Sequence, residues 1–487
     1  MIKDEVLLRR HAMKCIILGL GLVFSLMLTG CFAKIHHLPA HSDKSTPVFA
    51  PLPDQPTLVG LAVSGGGSRA ATFAAGALEA LAALRYVEEG REHSVLEAVT
   101  HMSSVSGGSL ATAYYALNKP PKSEPVLNGK GLSAAYERFF SNFKNDMQLN
   151  FQGKALVRQF LKFRAFNPTK SAYSFAEVWD ANFFHNTTMS TLYEREENGD
   201  APQVIFNGTI YNSGRRLVLT SLSPSDFAYD FTAELRAKLL SKGLHFTPEG
   251  RASFDRSIER AKNQFLPQTF ESIGADHRAL PVSLAVVTSA SFPPVVGPVT
   301  YKTEGVSTYT HVGDGGLFDN LGTESLTTVF LNKLNPDHPT AKRALILVID
   351  ASYPFDEGMG ELNEKEKGFE VFADDPSRIV GIMEERANAY QAMLWHSLRA
   401  ETTLLPDYDH LKLIILHHTE AEWTEDDRIP EACPKTFTPE DIRRTIRQIP
   451  TAFKIKEPCH GALLIAAAHK VVNKQRQRIV DFLQQSP

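Results

Sequence analysis

Two short segments constrain this chain more than anything else in it: Gly65-Gly66-Gly67-Ser68-Arg69 and Ser104-Val105-Ser106-Gly107-Gly108. Residues 58–63 form an apolar run of strand length, and residues 70–84 carry apolar side chains at helical spacing. The first glycines therefore sit where a strand turns into a helix. Residues 96–102 and 107–117 repeat the pattern as strand and helix, with Ser106 at the corner. Backbone N–H groups at such a junction converge on one spot and are reinforced by the helix dipole, which suits a developing negative charge. Taken alone, a glycine-rich turn of this kind equally suits cradling a phosphate or close backbone packing.

The second segment favours chemistry. A strand, a sharp turn of small residues and a helix make the setting of a nucleophile elbow, which presents a serine hydroxyl above the sheet edge. Gly108 fits the second glycine of G-x-S-x-G, while Ser104 stands where the first is expected. A third segment, Gly313-Asp314-Gly315-Gly316, follows an expected strand at 308–312 and places a carboxylate among glycines. Asp-Gly-Gly by itself is a turn signal.

In this order the three segments resemble the patatin-like phospholipase family. The resemblance rests on the Gly65–Arg69 loop, on Ser106 in Val105-Ser106-Gly107-Gly108, and on Asp314 in Asp314-Gly315-Gly316. Ser289-Ala290-Ser291-Phe292-Pro293-Pro294 and Asn207-Gly208-Thr209 support it. It covers residues 57 to about 350 and implies a three-layer α/β fold with a mainly parallel central sheet flanked by helices. It further implies a Ser/Asp dyad and hydrolysis of lipid acyl esters, with membrane lipids as substrate. Arg69 matches a position associated with the oxyanion loop and with a lipid phosphate.

The residues support this chemistry independently. Ser106 needs a base within hydrogen-bond reach, and Asp314 is the candidate, made more basic by exclusion of water. Gly65, Gly66, Gly67 and Gly107 are the candidate oxyanion-hole residues, and one donor of that kind is worth on the order of 3 kcal/mol of transition-state stabilisation. A Ser-Asp-His triad is the competing mechanism, because His410, His417, His418, His460 and His469 follow Asp314. The early position of the glycine loop and of Ser106 argues against it. His101 and His311, near the motifs, read as strand-face or loop residues.

The amino terminus indicates an envelope protein. An apolar stretch at 15–28 follows Lys14 and ends in Leu28-Thr29-Gly30-Cys31, similar to a bacterial lipoprotein signal with Cys31 as the lipidated residue. A plain N-terminal membrane anchor is the alternative, and Met13 suits a signal start better than Met1. Residues 1–30 then form the signal peptide and 31–56 a lipidated tether. Residues 57–350 form the catalytic domain with a helical insertion at about 131–200, and 351–487 an extension packed on it. Phe32 after Cys31 favours the outer membrane of a Gram-negative bacterium over the inner.

The formal net charge of −4, without a dominant basic patch, excludes nucleic acid as an expected partner. No zinc-type or calcium-loop spacing occurs, so neither metal nor cofactor is expected. Oligomeric state has no signal in the sequence. Cys433 and Cys459, the thiols left after signal removal and lipidation, are expected to form a disulfide in an oxidising envelope. Aromatics concentrate at Tyr136, Phe139, Phe140, Phe143, Phe151, Phe160, Phe163 and Phe166, then Phe175, Trp179, Phe183 and Phe184, as a core or as a lid or acyl channel. Late strands are expected at 346–349 and 411–416, a long helix at 377–400 and a closing helix at 461–482, with 361–367 a solvated charge run. A catalytically silent lipid-binding lipoprotein and an acyltransferase are the other functions the same residues would serve.

Overall fold

The strand at Thr57–Val63 is apolar on both faces, and the fold follows from covering both. Val59, Leu61 and Val63 enter one hydrophobic cluster, and Leu58 and Ala62 the other. Arg343–Asp350 alternates likewise, sending Leu345, Leu347 and Ile349 one way and Ala344, Ile346 and Val348 the other. Strands buried on both faces belong to parallel sheets whose crossover helices lie on either side. A computed structural model describes residues 33–41, 54–162, 164, 167–230, 247–293, 296–335, 338–354, 381–382, 385–387, 389 and 410–485. The expected helix at 377–400 falls largely outside these residues, and the charge run at 361–367, Cys31, Phe163 and Phe166 fall wholly outside them.

The main sheet has ten strands. In chain order they are β1 (Ile35–Leu38), β2 (Thr57–Val63), β3 (His101–Ser104), β4 (Gln203–Ile210), β5 (Arg216–Thr220), β6 (Gln268–Thr269), β7 (Val299–Thr303), β8 (Thr310–Asp314), β9 (Arg343–Asp350) and β10 (Leu411–His417). Across the sheet the order is β1-β7-β8-β4-β3-β2-β9-β10, with β5 and β6 branching from β4. From β4 to β10 all neighbours are parallel, while β8 runs antiparallel to both β7 and β4. The protein is therefore mixed α/β with a mostly parallel central sheet flanked by helices.

Helix α1 (Gly67–Ala83) follows β2 and α2 (Gly107–Asn118) follows β3. Both are rich in alanine and almost wholly buried, which suits helices enclosed between the sheet and a further layer. Between α2 and β4 come α3 (Ala134–Asp146), α4 (Phe151–Leu161), α5 (Pro168–Trp179) and a further helix, Met189–Glu197. Then follow α6 (Val282–Ser289), α7 (Thr323–Lys333), α8 (Pro439–Gln448), α9 (Pro458–Lys474) and α10 (Arg476–Gln484). Helix α9 lies on α1, where Gly76 leaves room for Ala468 and Ile465.

Two expectations change, and the aromatic region takes one of its two expected forms. Residues 96–102 are not one strand: Val95–Ala98 is a short 3-10 turn, and β3 begins at His101. A capping box causes this, with the Ser94 side chain accepting from Leu96 N and Glu97 reaching back to Ser94 N. The closing helix is two helices broken at Gln475, which turns the last one so that Arg343 donates to Phe482 O at 2.6 Å. The aromatic region is chiefly core. Tyr136, Phe139, Phe140, Phe143, Phe151, Phe175, Trp179, Phe183 and Phe184 are buried in the main cluster, and only Phe160 of the described aromatics there is exposed.

Candidate active site

The sheet register brings Ser106 and Asp314 together. Ser104 pairs with Phe206 on β4, and Asp314 pairs with Gly208 on the other edge of the same strand. Two residues beyond Ser104, the chain has climbed to the height of Asp314. Ser106 sits there with φ 53° and ψ −121°, a conformation that non-glycine residues seldom adopt, and it begins α2 as its N-cap. Small neighbours make the turn sterically feasible. A Cβ on Gly107 would stand 2.0 Å from Gly67 O, and one on Gly108 2.5 Å from Val63 O.

The elbow is held from behind. Ser106 N–H donates to both the carbonyl and the hydroxyl of Ser289, and Asp314 N–H donates to Ser291 O. One short segment at the end of α6 thus fixes the backbone of both residues. Asn207, a polar residue within the apolar run of β4, donates to Ser103 Oγ and Ser104 O, each at 2.9 Å, and accepts from Ser325 Oγ. Ser104 has a use that glycine would not have: its hydroxyl accepts from Ser109 Oγ at 3.1 Å. Asn207 and the Ser289 segment are thus braces of the elbow, and a polar asparagine inside an apolar strand is the sequence signal of such a role.

Asp314 is 1 % exposed. Its Oδ1 accepts from Gly316 N at 2.8 Å, whereas Oδ2 has no hydrogen-bond partner among the described residues. Burial pushes the carboxyl up to about 7, moderated by the Gly316 N–H and the nearby Ser106 hydroxyl. That hydroxyl is therefore near enough to interact with the carboxyl it would give its proton to. No described histidine bonds to either residue. His101 is buried near the start of β3 against Phe330, and burial pulls it down to about 3. His311 lies across from Thr300 on β7, and its Nδ1 is 2.9 Å from the Thr300 hydroxyl. His469 pairs with Glu79, His460 with Glu457 and His417 with Asp350, and burial keeps His418 neutral. His410 is exposed.

The glycine loop faces the elbow. Gly65 lies against Ser106, with a hypothetical Cβ 3.4 Å from Ser106 Cβ, and Gly66 and Gly67 have φ of 138° and 60°. The N–H groups of Gly66, Gly67 and Gly107 have no partner among the described residues. That of Gly65 donates to Asn320 O at 2.9 Å, which removes Gly65 from the expected donors and leaves it a packing role. Helices α1 and α2 begin here with no acidic residue in their first turns, so no first-turn carboxylate neutralises their positive ends.

Arg69 also differs from expectation. It is 1 % exposed, and its guanidinium donates to Ala351 O at 2.8 Å and Ile449 O at 2.7 Å. These backbone carbonyls give it a bracing role at the glycine loop. Ala452 O accepts from Ser68 N at 2.8 Å, so 449–452 braces the loop from the same side. Cys433 and Cys459 form a disulfide that encloses this bracing segment.

A family model described as patatin-like phospholipase matches residues 61–327, more than half of the chain, and includes the glycine loop, Ser106 and Asp314. The chain belongs to the patatin-like phospholipase family. Membership supports lipid hydrolase activity. No curated protein matches the chain in sequence. Among solved structures, this patatin-like protein is similar to human GIVD cytosolic phospholipase A2 in complex with methyl gamma-linolenyl fluorophosphonate. That pair shares 12% identity, with 88% of this chain and 58% of that one covered and a TM-score of 0.43. It is also similar to the same human enzyme with that inhibitor and terbium chloride, at 13% identity, 88% and 59% coverage and a TM-score of 0.39. The patatin-like chain spans about three fifths of the length of these structures.

Proposed function

We propose that this protein is a lipid acyl-ester hydrolase of phospholipase A or lysophospholipase type that works through a Ser106/Asp314 dyad. The carrying observation is a buried Asp314 carboxyl raised to about 7 beside a serine held at a positive-φ elbow. Asp314 takes the Ser106 proton as Oγ attacks the ester carbonyl. The oxyanion meets the N–H groups of Gly66, Gly67 and Gly107. Collapse expels the alcohol, which takes the proton from Asp314 and leaves acyl-Ser106. Water then attacks the acyl group, giving a proton to Asp314; the fatty acid leaves and Ser106 recovers its proton.

The protein acts at a membrane to which a lipid on Cys31 attaches it, in the reading supported by the Leu28–Cys31 segment. That membrane is the outer one of a Gram-negative envelope, in keeping with Phe32. Fluorophosphonate labelling tests the nucleophile together with fatty acid release from phospholipid. The natural sequence should be labelled on the peptide containing Ser106 and release acid. A folded Ser106→Ala variant should do neither, and a labelled, active Ser106→Ala protein would overturn the reading. Labelling without acid release would favour the silent lipid binder.

A further inference from the structure

Helix α4 buries Phe151 and Ala155 but exposes Leu156 by 62 %, Val157 by 58 %, Phe160 by 76 % and Leu161 by 69 %. These four positions share one side of the helix, at the i, i+1, i+4, i+5 spacing of an apolar stripe. Water is a poor environment for such a stripe. The chain around it is also distinctive in charge. From Met147 to Ala176 it carries Lys154, Arg158, Lys162, Arg164 and Lys170 and no Asp or Glu, in a protein whose net charge is −4. Glu177, on α5, is shared by Arg158 at 3.6 Å, Lys162 at 2.7 Å and Arg164 at 2.8 Å. One carboxylate among three cations leaves positive charge at the C-terminal end of the stripe.

Two connections relate this face to the rest of the molecule. Gln152 N, in the first turn of α4, donates to Phe453 O at 2.9 Å, and the preceding residue Ala452 holds the glycine loop through Ser68. The apolar helix therefore starts against the segment that braces the glycine loop. Lys34 N donates to Thr169 Oγ1 at 3.1 Å and its ammonium lies 4.0 Å from the Tyr173 ring centre, both on α5. Cys31 is three residues earlier, at most about 11 Å of extended chain away.

We propose that the exposed face of α4, with its cationic border, seats the protein on an anionic phospholipid bilayer from which the Ser106 site draws its lipid. This rests on the hydrolase reading and specifies how lipid reaches that site. The apolar stripe enters the acyl boundary, and Arg158, Lys162 and Arg164 lie at the headgroup level, the division of labour of an interfacial helix. A lipid on Cys31 would leave the chain on the same side.

The test uses full-length Ser106→Ala protein, in which no vesicle lipid is consumed and the outcome is independent of the nucleophile assignment. Phe160→Trp adds a reporter on the stripe. Val87→Trp is the control, on an exposed hairpin beyond the far end of α1, about 25 Å from the glycine loop. With vesicles of phosphatidylethanolamine and phosphatidylglycerol, the emission added at 160 should shift to the blue and be quenched by lipids brominated on the acyl chain; that at 87 should do neither. Protein that binds these vesicles while the tryptophan at 160 remains in water, or that does not bind them, overturns the proposal. Burial of that tryptophan without vesicles also overturns it, in favour of a second copy if it follows protein concentration and of this chain itself if it does not. In protein with Ser106 intact, Leu156→Glu with Phe160→Glu should lower hydrolysis of vesicle lipid at least tenfold and change hydrolysis of a soluble short-chain ester less than twofold. Equal loss on both substrates would count against the docking role. Arg158→Gln should weaken binding to phosphatidylglycerol vesicles about fivefold and leave binding to phosphatidylcholine vesicles unchanged; an equal effect on both would contradict the charged border.

Discussion

Ser289 meets the backbone N–H of Ser106 twice, through its carbonyl at 3.2 Å and its hydroxyl at 3.1 Å. The hydroxyl also donates to Asn207 O and lies 2.9 Å from Ser109 Oγ. It is the node where β4, α2 and the segment before β7 fix the nucleophile. Ser289→Ala removes one of the two bonds to Ser106 and leaves Asn207 O without its donor. We expect kcat to fall about tenfold with KM little changed, and stability to fall by about 1–2 kcal/mol. Steady-state kinetics and urea unfolding check both; an unchanged kcat would show that the carbonyl bond is sufficient.

With Asp314 as the base, Ser106→Ala should abolish hydrolysis and Asp314→Asn should nearly do so, because the amide has no basic lone pair for the serine proton. Single His→Gln changes at His101, His311, His410, His417, His418, His460 and His469 should leave substantial activity. The base must be ionised, and burial sets its pKa at about 7, so kcat/KM should fall about tenfold per pH unit below 7. A flat profile from pH 5 to 8 would exclude Asp314 as the base.

The same carboxyl makes a prediction about stability. Its pKa rises from 3.8 in the unfolded chain to about 7 in the folded one, so between these values the folded state binds more protons. Stability therefore declines as pH rises from about 4 to about 7 and then levels off. Asp314→Asn removes the ionised group, and should be more stable than the natural protein at pH 8 by up to about 4 kcal/mol, with no gain at pH 4. Urea unfolding at the two pH values measures this.

Arg69→Gln separates a bracing role from phosphate recognition. Loss of the bonds to Ala351 O and Ile449 O should cost about 2–3 kcal/mol of stability. The glycine loop would loosen, so activity should fall by a similar factor on phospholipids and on neutral short-chain esters. A defect confined to phospholipids would instead identify Arg69 as a phosphate ligand.

The disulfide should act on the site at a distance. Residues 449–453 lie inside the Cys433–Cys459 loop and contact Arg69, Ser68 and Gln152. Cys433→Ser with Cys459→Ser should lower stability by about 3 kcal/mol in the chain-entropy model, and lower kcat severalfold under conditions where the protein remains folded. Denaturant titration and kinetics on the double variant test it, with equal kcat contradicting the bracing role.

Local sequence determined the parts that depend on local conformation. Small residues at 65–67 and 107–108 permit backbone turns that larger ones would block, and apolar runs of two lengths mark strand and helix, so Ser106, Asp314 and the α/β pattern were legible. The capping box at Ser94 and Glu97 was equally local, but the apolar run around it gave the appearance of strand. Pairings between distant segments decided the rest. Gly65 resembles its neighbours in sequence, yet Asn320 takes its N–H; Arg69 follows the glycine loop, yet carbonyls about 280 and 380 residues away hold its guanidinium. A hydrogen bond between remote residues leaves no periodic trace in either segment. The choice among donors, ligands and braces was therefore made by the tertiary structure, because only there do buried polar groups find the partners that desolvation makes necessary.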